Sequence, residues 1–188
     1  MIPVCWMRLR ISTVPSPVTT SLDVTSLDSW AAAKAAAHER FGQVDVLCNN
    51  AGVSQPRAPL DQVPPDVFAR VMAINVTGVY NGLVTFAGDM RERRSGRLVG
   101  VASVASIRGL PGHGAYCASK SAVVAYCESL RGECRPFGVQ VVTLVPGYIA
   151  KVVNDQGEEV PRGTIGRLAV VGPTGCKYLD DARQLGID

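Results

Sequence analysis

Apolar residues along the chain occur in two patterns, short stretches and longer stretches with helical spacing. The short runs predict strands, and they cover residues 18–24, 44–48, 97–103 and 139–145. The longer runs predict helices, and they cover residues 29–41, 65–93 and 115–135. Strands and helices therefore alternate along most of the chain, beginning and ending with a strand.

This alternation predicts an α/β fold, a doubly wound parallel sheet with helices on both faces. The run 97–103 has the unbroken apolar character of a strand that is buried on both sides. Ligands of such sheets bind at the carboxyl ends of the strands. The residues at these ends are Asp23, Asn50, Ser103 and Pro146.

The chain divides into three segments by pattern. Residues 1–16 show no clean period and predict an irregular leader, and residues 17–150 carry the alternating elements. Either Ser26 or Asp28 can cap the first helix, and Gly42 ends it. Residues 151–188 predict a β-rich tail in which two strands are joined by the turn sequence N-D-Q-G at 154–157.

Composition narrows the function classes. The chain has 188 residues, 47% of them hydrophobic, which suits one packed domain. A net charge of +3 is too small to indicate nucleic-acid binding. The six cysteines show no C-x-x-C pair and the two histidines are far apart, so no metal site is expected. No apolar stretch approaches the roughly 18 residues of a membrane span, and we expect a cytoplasmic protein.

Tyr116 and Lys120 are the strongest candidates for chemistry. On a helix, residues four apart share one face, so the phenol and the ammonium point into the same space. A nearby cation favours the phenolate, which makes tyrosine a usable general acid/base. The alternative is an exposed Tyr and Lys on a solvated helix, and the spacing alone does not exclude it.

Three other positions strengthen the catalytic interpretation. Ser103 lies thirteen residues before Tyr116 at a strand end, where its hydroxyl can stabilise charge on a substrate carbonyl. Asn75, in mid-helix, can hold a water or redirect backbone groups, or it is simply exposed. The sequence Asn49-Asn50-Ala51-Gly52 either lets backbone approach a ligand or forms an ordinary turn. Asp23 can bind an adenine amino group or cap the next helix.

Residues 18–149 resemble the short-chain dehydrogenase/reductase family. The motifs that carry the resemblance occur in the family's order and at similar spacing. They are D-V-T at Asp23, N-N-A-G at Asn49, N-V-T-G at Asn75, Ser103, Y-C-A-S-K at Tyr116, and P-G-Y-I at Pro146.

The resemblance implies a Rossmann-type fold and hydride transfer between NAD or NADP and a small-molecule alcohol/carbonyl pair. It implies Tyr116 as acid/base, Lys120 as its activator and a ligand of the nicotinamide ribose, Ser103 as carbonyl polariser, and Asn75 as holder of a relay water. It places the cofactor along Asp23, Val24, Asn50, Ala51, Gly52, Tyr116, Lys120, Pro146, Gly147 and Ile149. It also implies a homo-oligomer paired through helices 65–93 and 115–135.

The sequence departs from the family pattern in two places. It contains no strand followed by a T-G-x-x-x-G-x-G turn and a helix, the element that cradles a pyrophosphate. Thr77–Gly82 offers a partial match, but it lies inside a predicted helix. Without the first two strands, one apolar sheet edge is expected to be open.

Residues after Ala150 follow a different pattern and resemble an internal stretch of the acyl-/aryl-CoA ligase family, from about 147 to 188. The ligase motifs that bind adenylate lie outside this stretch, so it implies no ligase activity. Three hypotheses remain open: an oxidoreductase, a non-enzymatic remnant that does not hold the dinucleotide, and a ligase-associated module.

Overall fold

The computed structural model describes residues 20–147 with their side chains, together with Gln156 and the backbones of three short strands at 5–6, 149–153 and 167–171. Its helices are α1 (Leu27–Phe41), α2 (Pro65–Met72), α3 (Gly78–Glu92) and α4 (Gly114–Cys134). Its strands are β1 (Cys5–Trp6), β2 (Ser21–Leu22), β3 (Val46–Asn49), β4 (Arg97–Val101), β5 (Gln140–Leu144), β6 (Ile149–Val153) and β7 (Arg167–Val171).

The central element is a parallel sheet of three strands in the order β3, β4, β5. Asn49 and Gly100 are register partners, so both face the same side. On that side Gly82 of α3 lies against Asn49, and Cys127 of α4 lies against Gly100. Both α3 and α4 therefore cover the same face of the sheet.

The opposite face of the sheet is more open. Val46 and Leu144 point to it, and they are 45% and 46% exposed. Parallel sheets in α/β proteins are normally covered on both faces. The described part of the chain thus corresponds to one helical layer and the sheet of a doubly wound fold, which agrees with the expected truncated Rossmann-like architecture.

The core lies between the sheet and the helices. The indole of Trp30 on α1 meets the ring of Phe86 on α3 edge to face, with centroids 6.2 Å apart. Cys127 and Cys134 are fully buried there, and burial raises the pKa of both thiols. A thiol with a raised pKa forms little reactive thiolate at neutral pH, so these cysteines act as small apolar side chains.

The first predicted strand, 18–24, is wrong in extent and in pairing. β2 contains only Ser21 and Leu22, and it pairs antiparallel with β1 rather than joining the parallel sheet. The carboxylate of Asp23 accepts hydrogen bonds from the backbone N–H and the hydroxyl of Thr25, which turns the chain out of the extended conformation. The predicted irregular leader also contains the short strand β1.

The predicted continuous helix 65–93 is interrupted in the middle. α2 and α3 are joined by a π-helical segment, Ala73–Thr77, in which the N–H of Gly78 donates to the carbonyl of Ala73. Such segments insert one extra residue into a helix and are frequent at functional sites. The spacing of apolar residues could not reveal the inserted residue, because one extra residue rotates the buried face of the helix by only part of a turn.

By length and composition, Pro65–Glu92 is also apolar enough to cross a membrane. Its inward side chains, Ile74, Val79, Leu83 and Phe86, belong to the same buried cluster as the sheet. This packing is that of a core helix, and the absence of a membrane span stays a prediction.

The C-terminal tail contains β6 and β7, paired antiparallel, so its β-rich character agrees with the sequence. Val153 pairs with Arg167, so the described partner strand of β6 does not follow Gly157 directly. Apart from Gln156, the predicted turn at 154–157 lies outside the described residues.

Two glycines on α3 provide a matched test of helix packing. A Cβ at Gly82 would lie 2.2 Å from Oδ1 of Asn49, whereas one at Gly88 would meet nothing within 4 Å. We expect Gly82→Ala to lower the free energy of unfolding by about 1–3 kcal/mol through overpacking. Gly88→Ala should raise it by about 0.5–1 kcal/mol. The free energy of unfolding of both variants can be measured in urea. Equal changes in the two variants would contradict the close packing at Gly82.

Candidate active site

Tyr116 and Lys120 lie together on the first two turns of α4. The Lys120 Nζ is 5.8 Å from the centroid of the Tyr116 ring. Lys120 is buried, and its ammonium donates a hydrogen bond of 2.9 Å to the carbonyl of Val101, at the end of β4. Tyr116 is half-buried. The alternative of an exposed Tyr and Lys on a solvated helix is therefore excluded for this pair.

Ser103 follows β4 and caps a short 3₁₀ turn, Val104–Ser106. Its Oγ accepts a hydrogen bond of 3.2 Å from the N–H of Ala105. That bond occupies a lone pair and leaves the hydroxyl hydrogen to be donated elsewhere. The N–H of Val104 donates to the carbonyl of Pro146, and Gly147 lies against the Val104 side chain. Pro146 and Gly147 thus lie beside the serine.

Asn75 is fully buried in the π-helical segment. Its Oδ1 accepts from the N–H of Val53 at 2.7 Å, and its Nδ2 donates to the carbonyl of Val53 at 2.8 Å. The same Nδ2 donates to the hydroxyl of Ser119 at 2.9 Å. The alternative of an exposed helix residue is excluded by this burial. The side chain joins the loop after β3 to α4.

The turn after β3 approaches this group through Gly52. A Cβ at Gly52 would lie 3.0 Å from Nζ of Lys120 and 3.4 Å from Oδ1 of Asn75. Any larger residue would therefore push against both. Ala51 packs at the edge of the core, and Asn50 is exposed. The sequence therefore brings Gly52, Asn75 and Lys120 to one place.

Asp23 and Val24 make their described contacts elsewhere. The Asp23 carboxylate orders the turn into α1, where Ser26 serves as the N-cap. The Val24 carbonyl accepts from the indole of Trp30 and the side chain of Asn81. Asp23 thus orders the turn that precedes α1 but is not its N-cap, so the capping alternative is not realised. Ile149 begins β6, and its side chain lies outside the described residues.

Two polar residues at the site were not expected from the sequence. Ser119 is fully buried between Asn75 and Tyr116, and Gln55 is buried in the loop after β3. Ser119 could have been found, because it precedes Lys120 and shares the inner face of α4. Gln55 carries no sequence signal, since it lies in an irregular loop rich in proline and polar residues.

The glycine pattern at Thr77–Gly82 is part of the helical layer. Gly78 lies against the Val24 side chain, and Gly82 lies against Asn49 and Trp30. These glycines allow close packing of α3 and do not form a phosphate-binding turn. Among the described residues, no group of three or more His, Cys, Asp or Glu side chains is arranged to hold a metal ion.

Comparison with known proteins identifies the family of this chain. Residues 13–159 match the model of the short chain dehydrogenase family. The chain belongs to this family. The match extends a little beyond the range 18–149 expected from the motifs, and the ligase resemblance of residues 147–188 stays a prediction.

Individual short-chain dehydrogenases show the extent of the likeness. Human 17-beta-hydroxysteroid dehydrogenase type 1 is 37% identical over 167 residues, which cover 85% of this chain and 50% of that protein. The structure of NAD+-bound xylitol dehydrogenase is 36% identical with a TM-score of 0.67, covering 69% of this chain and 50% of the other. A gluconate 5-dehydrogenase from Burkholderia cenocepacia, in complex with NADP and tartrate, is 34% identical with a TM-score of 0.64, covering 68% and 49%.

The chain spans about half the length of the curated relatives it matches. The shared part includes the sheet strands β3–β5 and helices α1–α4. Family membership and fold are therefore established for this segment.

The buried hydrogen bonds of Asn75 generate a stability prediction. Asn75→Ala leaves the N–H and carbonyl of Val53 and the hydroxyl of Ser119 without this partner, and we expect a loss of about 3 kcal/mol. Ser119→Ala removes a single hydroxyl and should cost about 1 kcal/mol. Chemical denaturation measures both. If Ser119→Ala proved the more damaging change, Asn75 would not be the central partner.

Proposed function

We propose that this chain is an NAD- or NADP-dependent oxidoreductase that interconverts a small-molecule alcohol and its carbonyl. The observation that carries the proposal is the buried Lys120 ammonium, 5.8 Å from the Tyr116 ring centroid and on the same helix face. A buried cation beside a half-buried phenol is an arrangement suited to proton transfer.

Tyr116 would act as the proton donor or acceptor. In the direction of reduction its hydroxyl gives a proton to the carbonyl oxygen, and in oxidation its phenolate removes the hydroxyl proton. The Lys120 ammonium stabilises the phenolate, because an opposite charge nearby in a partly buried site lowers the energy of the charged form. Its bond to the Val101 carbonyl fixes the ammonium relative to β4.

Ser103 would polarise the substrate carbonyl. Its Oγ already accepts from Ala105, so the hydroxyl hydrogen can be directed to the carbonyl oxygen, where negative charge develops. The adjoining backbone of Pro146 and Gly147 confines the space on that side.

Asn75 would bind a relay water only as a hydrogen-bond acceptor. Both hydrogens of its amide are used, one by the Val53 carbonyl and one by the Ser119 hydroxyl. A relay water at this residue must therefore donate its hydrogen to an oxygen of Asn75. The fixed amide would set the direction of that water.

The residues present fit the nicotinamide end of a dinucleotide. Gly52 lets the backbone of this turn lie close to Lys120 and Asn75, where a Cβ would come within 3.0 Å of the Lys120 Nζ. When bound, the nicotinamide would supply or accept the hydride. Similar solved structures hold NAD+ in one case and NADP in another, which supports either cofactor.

The alternative is a protein that does not hold the dinucleotide. It is favoured by one observation, namely that the printed sequence contains no glycine-rich strand–turn–helix for the pyrophosphate. The proton-transfer residues would then be an inherited but unused arrangement. A cytoplasmic location is an expectation under either hypothesis.

Cofactor titration separates these two hypotheses. We expect NADH or NADPH to bind with saturable enhancement of nicotinamide fluorescence, and a panel of small ketones and secondary alcohols to show turnover. Tyr116→Phe should lower turnover by at least about 100-fold and change cofactor affinity by less than about twofold. Tyr126→Phe, on the same helix, is the matched control. No saturable binding of either nucleotide would overturn the proposed function.

We infer further that the protein pairs with itself through α3 and α4. Tyr80 and Val84 on the outer face of α3 are 47% and 46% exposed, and the Tyr80 ring lies 6.3 Å from that of Tyr126 on α4. Exposed apolar side chains on α3, beside the half-buried Tyr126 of α4, form a surface suited to a second copy.

A charge on this helical face should disrupt such pairing. We expect Val84→Lys to lower the mass measured by light scattering toward that of one 19.9 kDa chain. Leu27→Lys places the same charge on an exposed apolar position of α1 and should leave the mass unchanged. A wild-type protein that is already monomeric would contradict the inference.

A further inference from the structure

Gln55 is a buried side chain with both ends of its amide bonded. Its Oε1 accepts a hydrogen bond of 3.1 Å from the backbone N–H of Tyr116. Its Nε2 donates one of 3.2 Å to the carbonyl of Gly112, in the loop before α4. Only 4% of Gln55 is exposed. The residue whose backbone it bonds, Tyr116, is the candidate acid/base.

The N-terminus of α4 needs such a partner. The first N–H groups of a helix have no carbonyl within the helix to bond, and a side chain at the N-cap normally serves one of them. His113 occupies the N-cap of α4 and makes no side-chain capping bond. The bond from the N–H of Cys117 to the carbonyl of His113 is already helical, whereas the N–H of Tyr116 depends on Gln55.

The carbonyl of Tyr116 is tied to the same loop by another route. This carbonyl accepts a hydrogen bond of 2.7 Å from the Ser119 hydroxyl. The same hydroxyl accepts a hydrogen bond from the Asn75 amide. Asn75 in turn holds both backbone polar groups of Val53. Hydrogen bonds thus run from Val53 through Asn75 and Ser119 to Tyr116, and return through Gln55. Both polar groups of the Tyr116 backbone are anchored to residues 53–55.

We propose that Gln55 is a positioning residue for Tyr116. It caps α4 from a loop 61 residues earlier in the chain, and so fixes the phenol relative to the turn that carries Gly52. The same amide anchors the Gly112 loop, which the N–H of Ala58 also bonds at 3.1 Å. This role rests on the proposed function where it concerns catalysis, but the capping itself does not.

Two substitutions separate the functions of the amide. Gln55→Met keeps the approximate shape and removes both bonds. Gln55→Glu keeps an acceptor for the Tyr116 N–H, near a helix N-terminus that favours negative charge, and loses the donor to Gly112. Gln62→Met changes an exposed glutamine of the same loop and is the matched control.

Amide hydrogen exchange measured by NMR tests the capping directly, with no need for activity. We expect Gln55→Met to speed exchange at Tyr116 by about tenfold while Cys117, bonded to His113, changes little. Gln55→Glu should restore protection at Tyr116, and Gln62→Met should match wild type. Unchanged exchange at Tyr116 in Gln55→Met would overturn the proposal.

Kinetics then test positioning. Gln55→Met should lower kcat by about 10- to 100-fold with little change in the KM for the nicotinamide cofactor, and Gln55→Glu should recover most of kcat. Equal loss in both variants, or a change confined to KM, would argue against positioning. If wild type binds no cofactor, the proposed function fails while the exchange result still decides the capping. If Gln55→Met does not fold, Gln55→Asn, too short to reach both partners, replaces it in both measurements.

Discussion

The amide of Asn75 is the contact on which the candidate site depends. It bonds both polar groups of the Val53 backbone and the hydroxyl of Ser119, and it lies fully out of solvent. A buried backbone segment that leaves a strand must find partners for its N–H and carbonyl groups, because unpaired polar groups inside a protein are costly. Asn75 supplies them, and in doing so it joins the loop after β3 to α4. Apolar residues of similar size could fill the space but could not make this connection.

The π-helical segment explains how a residue in mid-helix can serve a neighbouring loop. In a regular α-helix every side chain follows the 3.6-residue period, and the positions facing the sheet are taken by apolar residues. The extra residue in Ala73–Thr77 changes the phase between α2 and α3. Val71, Ile74, Val79 and Leu83 are all buried, with Ile74 inside the π-helical segment. Asn75, the next residue, bonds to the loop after β3. The cost of the irregular turn is offset by the three hydrogen bonds of Asn75, of which the one to Ser119 is buried.

The sequence predicted the elements that repeat a pattern and missed those that depend on a partner distant in sequence. The order of strands and helices, the Ser26 cap, and the shared helix face of Tyr116 and Lys120 all follow from local spacing. The pairing of β2 with β1 and of β6 with β7 does not, because the choice of strand partner depends on competing segments elsewhere. Gln55 is the clearest case, since its partner is a backbone N–H that any residue at position 116 would present. The pattern of side chains does not reveal which distant residue serves a helix end that has no local cap.

All the bonds that fix Tyr116 and Asn75 are made between residues 53 and 119, within the part shared with the family's complete members. Lys120 is fixed by β4, whose register is set by β3 and β5. The geometry of the candidate site is therefore determined by this segment's own packing. Binding of the dinucleotide phosphates is a separate requirement, because it needs a helix N-terminus approached by glycine-rich backbone. The two requirements meet at Gly52, where the turn contacts Lys120 and Asn75 closely. A chain can thus hold Tyr116, Lys120 and Asn75 in this arrangement whether or not it binds the dinucleotide.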